Sequence, residues 1–260
     1  MISVLLPTRD NPDHLKYALR ALKTACKEFS GDIEILVLDG GQKSCKGILA
    51  RYKTIDLHLV EVEPWWSYSE LLNQSVPVAQ GETILLTHDD AAVPKDVFHK
   101  IGNPQKKEIL SLKTVYPGGR IERAGVTSGV GDPSPRFIAF GLHTSEYQHE
   151  IPRFAPMTDM VCTSMRKEFF DQLGGFNIGY HWGYEGWDLS LRAWESGGVV
   201  KIVTDSHCVH YGGASRGLML RSSILNSPDK NSAMFGKHWL LDDRLTKVML
   251  QINEVLSHAA

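Results

Sequence analysis

Two acidic residues open a predicted helix in the second half of the chain, and aromatic residues surround them. Glu185 and Asp188 precede apolar residues that recur at helical spacing. Carboxylates are common at helix starts, because the macrodipole is positive there and free N–H groups need acceptors. That explanation does not cover the neighbouring Trp182, Tyr184 and Trp187. Carboxylates can exchange protons, and aromatic faces can bind apolar surfaces. The segment therefore has two interpretations: an ordinary helix start with aromatic neighbours, or an active site.

Other polar residues whose side chains could bind a ligand or take part in a reaction follow predicted strands. They are Thr8, Arg9, Asp10, Asp39, His88, Asp89, Asp90, His207 and His210. Carboxylates hold hard divalent cations, and a neutral imidazole suits Mn²⁺ better than Mg²⁺. Simpler interpretations exist for each group, since Asp39 can cap a turn with Gly40 and Gly41, and Asp89 with Asp90 can form a turn. A lone histidine is more often packed or on the surface than a ligand.

Composition excludes several classes of function. The chain has 260 residues, 42% apolar and 22% charged, with a formal net charge of −2, so nothing favours a nucleic-acid or anionic-membrane partner. Its four cysteines form no C-x-x-C pair, which predicts reduced and mostly buried thiols. We find no signal peptide and no apolar run of membrane-spanning length. These features predict a cytoplasmic protein, at most peripheral at the inner membrane face.

The first ninety residues alternate strands and helices. Predicted strands cover residues 2–7, 32–39, 56–63 and 82–90, and predicted helices cover 14–26, 45–52 and 68–79. Continuous apolar runs between helices are typical of parallel strands buried on both faces, joined by right-handed crossovers. In such sheets ligands bind at the carboxyl ends of the strands, where the polar residues above would meet.

The second half is less regular. Residues 103–156 are rich in glycine and proline and predict a loop-rich β insertion at an edge of the sheet, with strand-like pieces at 108–117 and 136–143. A strand and short helix over 160–176 end at a glycine pair, and the helix from Glu185 reaches about Ser196. We expect one domain over 1–260. Its parts would be a nucleotide-binding half (1–100), an acceptor and catalytic half (101–215), and a tail with an amphipathic C-terminal helix (216–260).

Four segments resemble the landmarks of one family, in order. They are "ISVLLPTRDNPDHLKYALRAL", "EILVLDGG", "LLNQSVPVAQGETILLTHDD" and "LGGFNIGYHWGYEGWDLSLRAWESGG". This series resembles the GT-A fold glycosyltransferases, family 2 in particular. Residues 183–198 are also similar to the C-terminal motif of polypeptide N-acetylgalactosaminyl- and galactosyltransferases. The resemblance implies an α/β fold of the GT-A (Rossmann-like) type: a mostly parallel central sheet flanked by helices, with a loop-rich β insertion and a C-terminal helix.

The resemblance implies a nucleoside diphosphate sugar donor and a metal cofactor, Mn²⁺ or Mg²⁺. The family's Asp-x-Asp motif has a threonine or histidine at its first position here, which leaves its register open. The implied metal ligands are Asp90, Asp89 and His210, with His88 possible and His207 less favoured. The implied contacts of the nucleotide sugar are Pro7, Thr8, Arg9, Asp39, Asn73, His88 and Asp89. Asn73 has a structural alternative, since it can pack or cap within its helix.

The resemblance also implies a catalytic base and an acceptor site. The family draws its base from a Glu-Asp pair at this helix start, but here the pair reads Glu185-Gly186. Glu185 is then the expected base, with Asp188 as second candidate or as a partner of Arg192. Trp182, Tyr184 and Trp187 would bind a saccharide or glycolipid-type acceptor, because sugar CH faces stack on aromatic rings. We expect an inverting transferase; retention, or a sugar-nucleotide-binding protein without turnover, stays open.

Overall fold

A computed structural model describes residues 1–64, 66–129, 132–144, 153–180, 183–212 and 227–259. The strands are β1 Ile2–Thr8, β2 Ile33–Asp39, β3 Leu57–Glu61, β4 Thr83–Thr87, β5 Ala91–Ala92, β6 Glu108–Val115, β7 Ile121–Arg123, β8 Val126–Gly129, β9 Asp132–Phe137, β10 Cys162–Arg166 and β11 Val199–His210. The α-helices are α1 Pro12–Glu28, α2 Lys46–Leu49, α3 Tyr68–Ser75, α4 Val97–Ile101, α5 Lys167–Gln172, α6 Glu185–Glu195, α7 Ser227–Leu240 and α8 Arg244–Ala259. Short 3₁₀ turns follow α3 at Val76–Val78 and α7 at Leu241–Asp243.

One mixed sheet forms the centre of the described structure. Its strand order is β3-β2-β1-β4-β10-β6-β11-β5, with β7 paired to β6. Strands β3, β2, β1 and β4 are parallel neighbours, and β6 is parallel to β11, whereas β10 is antiparallel to both of its neighbours. A separate hairpin pairs β8 with β9. The prediction of a largely parallel α/β sheet is confirmed.

The sheet is buried because helices cover both faces. Alternate side chains of a strand point to opposite faces, so Val4 and Leu6 of β1 pack in the same cluster as α1 while Leu5 packs in the other. Helix α1 supplies an apolar stripe at helical spacing. Its buried residues are Leu15, Ala18, Leu19, Leu22 and Ala25. The continuous apolar runs in the sequence therefore reflect strands with two buried faces.

The prediction for residues 103–156 is wrong in one part. Strand β6 lies inside the sheet with all eight of its residues buried, and it is neither an edge nor a loop. The polar residues of β6 interrupt the apolar run that would indicate a strand buried inside the sheet. Ser111 accepts hydrogen bonds from the hydroxyls of Thr158 (2.8 Å) and Thr163 (2.9 Å), and Lys113 donates to the carbonyl of Thr204. A polar side chain tolerates a central strand when such partners satisfy it.

The C-terminal region contains two helices where the sequence predicted one. Both α7 and α8 pack against α6, and their buried residues join the core cluster that contains Trp194. These residues are Phe235, Trp239, Leu245, Val248, Met249 and Ile252. In the described part of the chain, no helix combines the length and apolarity needed to cross a membrane.

A glycine pair connects α5 to the segment before α6. Gly174 and Gly175 both adopt positive φ, at +78° and +69°. The side chain of Asn73 closes this turn: its Nδ2 donates to the carbonyl of Phe176, and its Oδ1 accepts from the Phe176 N–H, both at 2.8 Å. Asn73 was expected to contact the nucleotide. The structure instead commits its amide to the backbone, which is the structural alternative.

Replacing Gly175 by alanine is expected to destabilise the protein more than replacing Gly174. Both positions carry the left-handed strain of about 1–2 kcal/mol for a non-glycine residue. A Cβ at Gly175 would also lie 2.6 Å from Asn73 Oδ1, whereas a Cβ at Gly174 meets nothing within 4 Å. Displacing the half-buried amide from its hydrogen bonds adds about 0.5–1.5 kcal/mol. Urea denaturation of the two variants measures the difference, and equal losses would contradict the role of Asn73.

Candidate active site

Polar residues meet where the strands of the sheet end. Thr8 at the end of β1 lies opposite Asp39 at the end of β2 in the strand register, as Pro7 lies opposite Leu38. At the end of β11, His210 pairs with Ala91 of β5, just after the β4 terminus. Distant parts of the chain therefore deliver side chains to one edge of the sheet, as the sequence predicted.

Three side chains at this edge form a candidate cation site. His88, Asp90 and His210 each offer one ligand atom, and these atoms lie within 4.8 Å of one another. The Asp90 Oδ1 lies 3.2 Å from His210 Nε2 and 3.9 Å from His88 Nδ1. One carboxylate and two imidazoles suit Mn²⁺ better than Mg²⁺, which prefers oxygen ligands. His207, an exposed residue, lies outside this group.

Asp89 faces away from the cluster that its neighbours form. Its Oδ2 accepts a hydrogen bond from the Thr8 hydroxyl at 2.8 Å, and its burial raises its pKa to about 7. The residues before and after Asp89 reach the candidate cation site, whereas Asp89 does not. Asp89 as a metal ligand stays a prediction, and this geometry favours His88 in its place.

The charges of the cluster constrain one another. Burial disfavours ionised Asp90, but its hydrogen bond with His210 and the nearby His88 outweigh this and lower its pKa to about 2. Burial lowers the pKa of His88 to about 4. Burial also disfavours charged His210, yet hydrogen bonds with Asp90 and Glu122 raise its pKa to about 9. The two carboxylates that flank His210 therefore favour its protonated form.

Glu122 is a site residue that sequence reasoning missed. Its Oε2 accepts a hydrogen bond from His210 Nδ1 at 2.6 Å and another from the Thr114 hydroxyl at 3.2 Å. It lies on β7, a strand of three residues whose pattern is too short to indicate a buried face. Only the pairing of β7 with β6 brings Glu122 to His210. No signal in the sequence distinguishes it from a surface acid.

Residues beside the β1 and β2 ends make contacts of their own. Arg9 donates through Nη2 to the carbonyl of Trp66 at 3.2 Å, and burial lowers the pKa of its guanidinium. Both carboxylate oxygens of Asp39 accept backbone N–H groups, from Gly41 at 3.1 Å and from Cys45 at 2.9 Å. Asp39 therefore caps the turn before α2, the simpler of its two interpretations. Any contact with a nucleotide would use its remaining lone pairs.

Glu185 has the environment of a proton acceptor. It follows Tyr184, whose φ is +73°, at the start of α6. Its Oε2 is buried without a hydrogen-bond partner among the described residues, and burial raises the pKa of the carboxyl to about 7. Tyr68 lies between Glu185 and the cation site. Its hydroxyl lies 3.3 Å from His88 Nε2, and burial raises the Tyr68 pKa, with a smaller contribution from the Glu185 charge.

Gly186 leaves no room for the aspartate that the resembling family carries there. A Cβ at this position would lie 2.9 Å from Met160 Cγ and 3.1 Å from the carbonyl oxygen of Thr158. Close packing of α6 against the segment before β10 thus accounts for the glycine. Among the acids at this helix start, Glu185 alone keeps an oxygen without a partner in the described structure.

Asp188, the second catalytic candidate, is held in a buried network of hydrogen bonds. It is fully buried, and its Oδ2 accepts from Arg192 Nε at 2.8 Å while its Oδ1 accepts from Trp239 Nε1 at 3.0 Å. Arg192 in turn donates to the carbonyls of Leu173 and Gly175. This network ties α6 to α7 and to the glycine turn. The prediction that Asp188 could orient Arg192 matches these contacts.

Aromatic side chains form a wall beside Glu185. The rings of Tyr184 and Trp187 are 4.7 Å apart, and Phe235 of α7 lies 5.2 Å from Tyr184. Trp187 donates through Nε1 to Asp159 Oδ1 at 2.9 Å. Two further residues complete this side of the site. Arg123 pairs with Asp159 at 2.9 Å and stacks 3.7 Å above the ring of Phe137.

Two other tryptophans of the sequence analysis have different outcomes. Trp182 lies outside the described residues. Trp194 is fully buried and donates to the carbonyl of Ala155 at 3.1 Å, so its interpretation as a core residue is confirmed. Asp159 and Phe235 were missed, because neither stands in a motif and each reaches the wall only through tertiary packing.

Solved structures share this architecture. The structure of GalNAc-T7 with UDP, GalNAc and Mn²⁺ superposes with a TM-score of 0.63 at 15% identity, over 81% of this chain and 43% of that chain. The mannosyltransferase PcManGT from Pyrobaculum calidifontis, in complex with GDP-Man and Mn²⁺, gives 0.59 at 14% identity, over 98% and 75%. The chain therefore has the GT-A fold of glycosyltransferases, as its sequence predicted.

Relatives in sequence are longer proteins. No model of a protein family matches the chain. It is 25% identical over 228 residues to the O-antigen biosynthesis protein RfbC of Myxococcus xanthus, covering 83% of this chain and 18% of RfbC. It is 33% identical over 94 residues to polypeptide N-acetylgalactosaminyltransferase 5 of Caenorhabditis elegans, covering 36% and 15%. The chain spans about one fifth of the length of the first curated relatives it matches.

Replacing Asp188 by alanine is expected to lower stability strongly, because Arg192 and Trp239 would lose a buried partner. Breaking such a pair costs about 3–5 kcal/mol. Glu195→Ala, on the same helix, removes the more exposed pair of Glu195 with Arg244 and should cost at most about 1 kcal/mol. The free energy of unfolding in urea measures both. Similar losses for the two variants would argue against a structural network around Asp188.

The raised pKa of Glu185 predicts a pH-dependent effect on stability. Its pKa is about 7 in the folded protein against an ordinary 4.5, so the folded state binds more protons in that interval and loses stability as pH rises through it. Glu185→Gln removes this loss. Relative to wild type, the variant should therefore gain stability between about pH 5 and pH 8.

The urea midpoint at the two pH values measures this gain. Glu28→Gln, at the exposed end of α1, is the control for the loss of one carboxylate at the surface. A constant difference between Glu185→Gln and wild type would show that the Glu185 carboxyl titrates normally.

Proposed function

We propose that this chain is a metal-dependent glycosyltransferase, which moves a sugar from a nucleoside diphosphate donor to a hydroxyl of a saccharide or related acceptor. The observation that carries the proposal is the convergence of His88, Asp90 and His210 at the carboxyl edge of a GT-A sheet. The GT-A neighbours support it, since their structures contain UDP or GDP-Man together with Mn²⁺. RfbC, by its name a protein of O-antigen biosynthesis, supports a saccharide product.

The donor diphosphate would lie at the edge formed by β1, β2 and β4. His88, Asp90 and His210 would hold the divalent cation, which neutralises the charge of the diphosphate leaving group. Two imidazoles among the ligands favour Mn²⁺. Thr8, Arg9 and Asp89 border the same edge, where the Thr8–Asp89 hydrogen bond would hold the Asp89 carboxyl for a contact with the ribose.

Glu185 would act as the general base. Its oxygen without a partner can accept the proton of the acceptor hydroxyl as that oxygen attacks the anomeric carbon. A pKa near 7 suits this task, because a base is most effective when its pKa lies near the working pH. Direct attack assisted by one carboxylate gives inversion at the anomeric carbon, which is the stereochemistry we propose.

The acceptor would bind against Tyr184 and Trp187. Aromatic rings stack on the CH faces of sugars, and nearby carboxylates bind the hydroxyl groups. Asp159 fixes the Trp187 indole by accepting its N–H, so this ring surface is oriented before the acceptor arrives. Because the wall stands beside Glu185, an acceptor stacked on it would have a hydroxyl within reach of the base.

Two substitutions separate donor binding from turnover. Asp90→Asn should weaken Mn²⁺-dependent binding of UDP or GDP at least tenfold, or about 1.4 kcal/mol. Glu185→Gln should keep that binding and lower turnover by about 10²–10⁴-fold, the usual contribution of a general base. Calorimetry measures diphosphate affinity with and without Mn²⁺. Chromatography of released diphosphate from UDP- and GDP-sugars, with saccharide acceptors, measures turnover.

Asp205→Asn is a matched control for these variants, since Asp205 pairs with Lys100 on the surface. A diphosphate affinity that changes neither with Mn²⁺ nor with Asp90→Asn would count against the metal site. Donor binding with no turnover in wild type would favour a sugar-nucleotide-binding protein over an enzyme.

A further inference from the structure

We propose that Glu122 is a positioning residue for the metal site, holding His210 so that its Nε2 faces the cation. The inference rests on the proposed function, since it assigns a role within that function's metal site. It adds a residue from β7, a strand outside the segments that resemble known motifs. Glu122 would act through His210 and would not itself be a ligand.

The geometry of His210 carries the inference. Its two ring nitrogens have different neighbours: Nδ1 lies 2.6 Å from Glu122 Oε2, and Nε2 lies 3.2 Å from Asp90 Oδ1. The carboxylate of Glu122 can only accept, so Nδ1 carries a proton and donates it. To bind a cation, His210 Nε2 must carry no proton. The Glu122 hydrogen bond therefore selects the tautomer that presents Nε2.

Glu122 is itself fixed and lies outside the ligand cluster. The Thr114 hydroxyl donates to the same Oε2 at 3.2 Å, and Glu122 is 7% exposed. The cluster whose ligand atoms lie within 4.8 Å contains His88, Asp90 and His210 without Glu122. A buried carboxylate bound to the far side of a ligand imidazole makes that ligand more basic and fixes its ring plane.

His88 has a weaker counterpart of this support. Its Nδ1 faces Asp90, and its Nε2 lies 3.3 Å from the hydroxyl of Tyr68, a neutral group. The two imidazoles would therefore be held unequally, His210 by a carboxylate and His88 by a phenol. Charge-assisted hydrogen bonds are shorter and about twice as strong as neutral ones. Loss of Glu122 should thus affect metal affinity more than loss of the Tyr68 hydroxyl.

The test is a double-mutant cycle on Mn²⁺ affinity, with free Mn²⁺ followed by electron paramagnetic resonance. Glu122→Ala should weaken Mn²⁺ binding about 10–100-fold, the usual cost of removing such support. Glu122→Gln keeps an acceptor for Nδ1–H and should recover most of that affinity. In a His210→Ala background, Glu122→Ala should cause no further loss, because its route to the cation is already gone.

Tyr68→Phe and Asp205→Asn are the comparison variants. Tyr68→Phe should weaken Mn²⁺ binding less than Glu122→Ala, and Asp205→Asn, on β11 with His210, should leave it within about twofold of wild type. Melting temperatures of all variants confirm that they are folded. If Glu122→Ala does not fold, Glu122→Gln and the Co²⁺ absorption spectrum of its complex carry the test, with a spectrum unlike that of His210→Ala expected.

Each outcome has a defined meaning. Glu122→Ala with wild-type affinity overturns the positioning role while leaving the proposed metal site intact. An equal loss for Glu122→Gln and Glu122→Ala that persists without His210 also overturns it, because Glu122 would then attract the cation by charge alone. Absence of Mn²⁺ binding in wild type overturns the metal site itself, and with it both proposals.

Discussion

The candidate site depends on how β11 runs beside β6. The two strands are parallel, but their register shifts between Val203 and His207, so the chain bulges there. Lys113 of β6 donates to the carbonyl of Thr204 within the bulge. Beyond it, β11 pairs with β5 as well, and His210 reaches the end of β4. This buried lysine thus helps to set the register of β11 on β6. The convergence of the candidate cation ligands depends on that register, since a slip of one residue would turn every side chain of the strand to the other face.

Burial then makes the groups at this edge depend on one another. An isolated buried charge is costly, and Asp90 and Glu122 flank His210 so that its protonated form is favoured. In the proposed function, a divalent cation would take the position of the proton on Nε2. Pairing explains why such polar residues are tolerated beside a closely packed sheet.

At the start of α6, tertiary contacts give two similar acids different surroundings. Glu185 and Asp188 are both acids of the first turn, and helix geometry places them near each other. Asp188 meets Arg192 and Trp239, which occupy both of its oxygens. Glu185 directly follows Tyr184 of the aromatic wall, and its Oε2 stays without a partner in the described structure. Two carboxylates with the same sequence signal thus receive different roles, one in stability and one in the proposed chemistry.

The sequence by itself determined the strand and helix order of the first half, the polar strand ends and the acids of α6, because apolar periodicity and turn residues are local signals. Tertiary structure decided which of these residues meet. It brought Glu122 to His210 through the pairing of β7 with β6, and it placed His88 rather than Asp89 in the candidate cation site. It also placed β6 inside the sheet. Such outcomes depend on contacts between residues far apart in the chain, which no local pattern encodes.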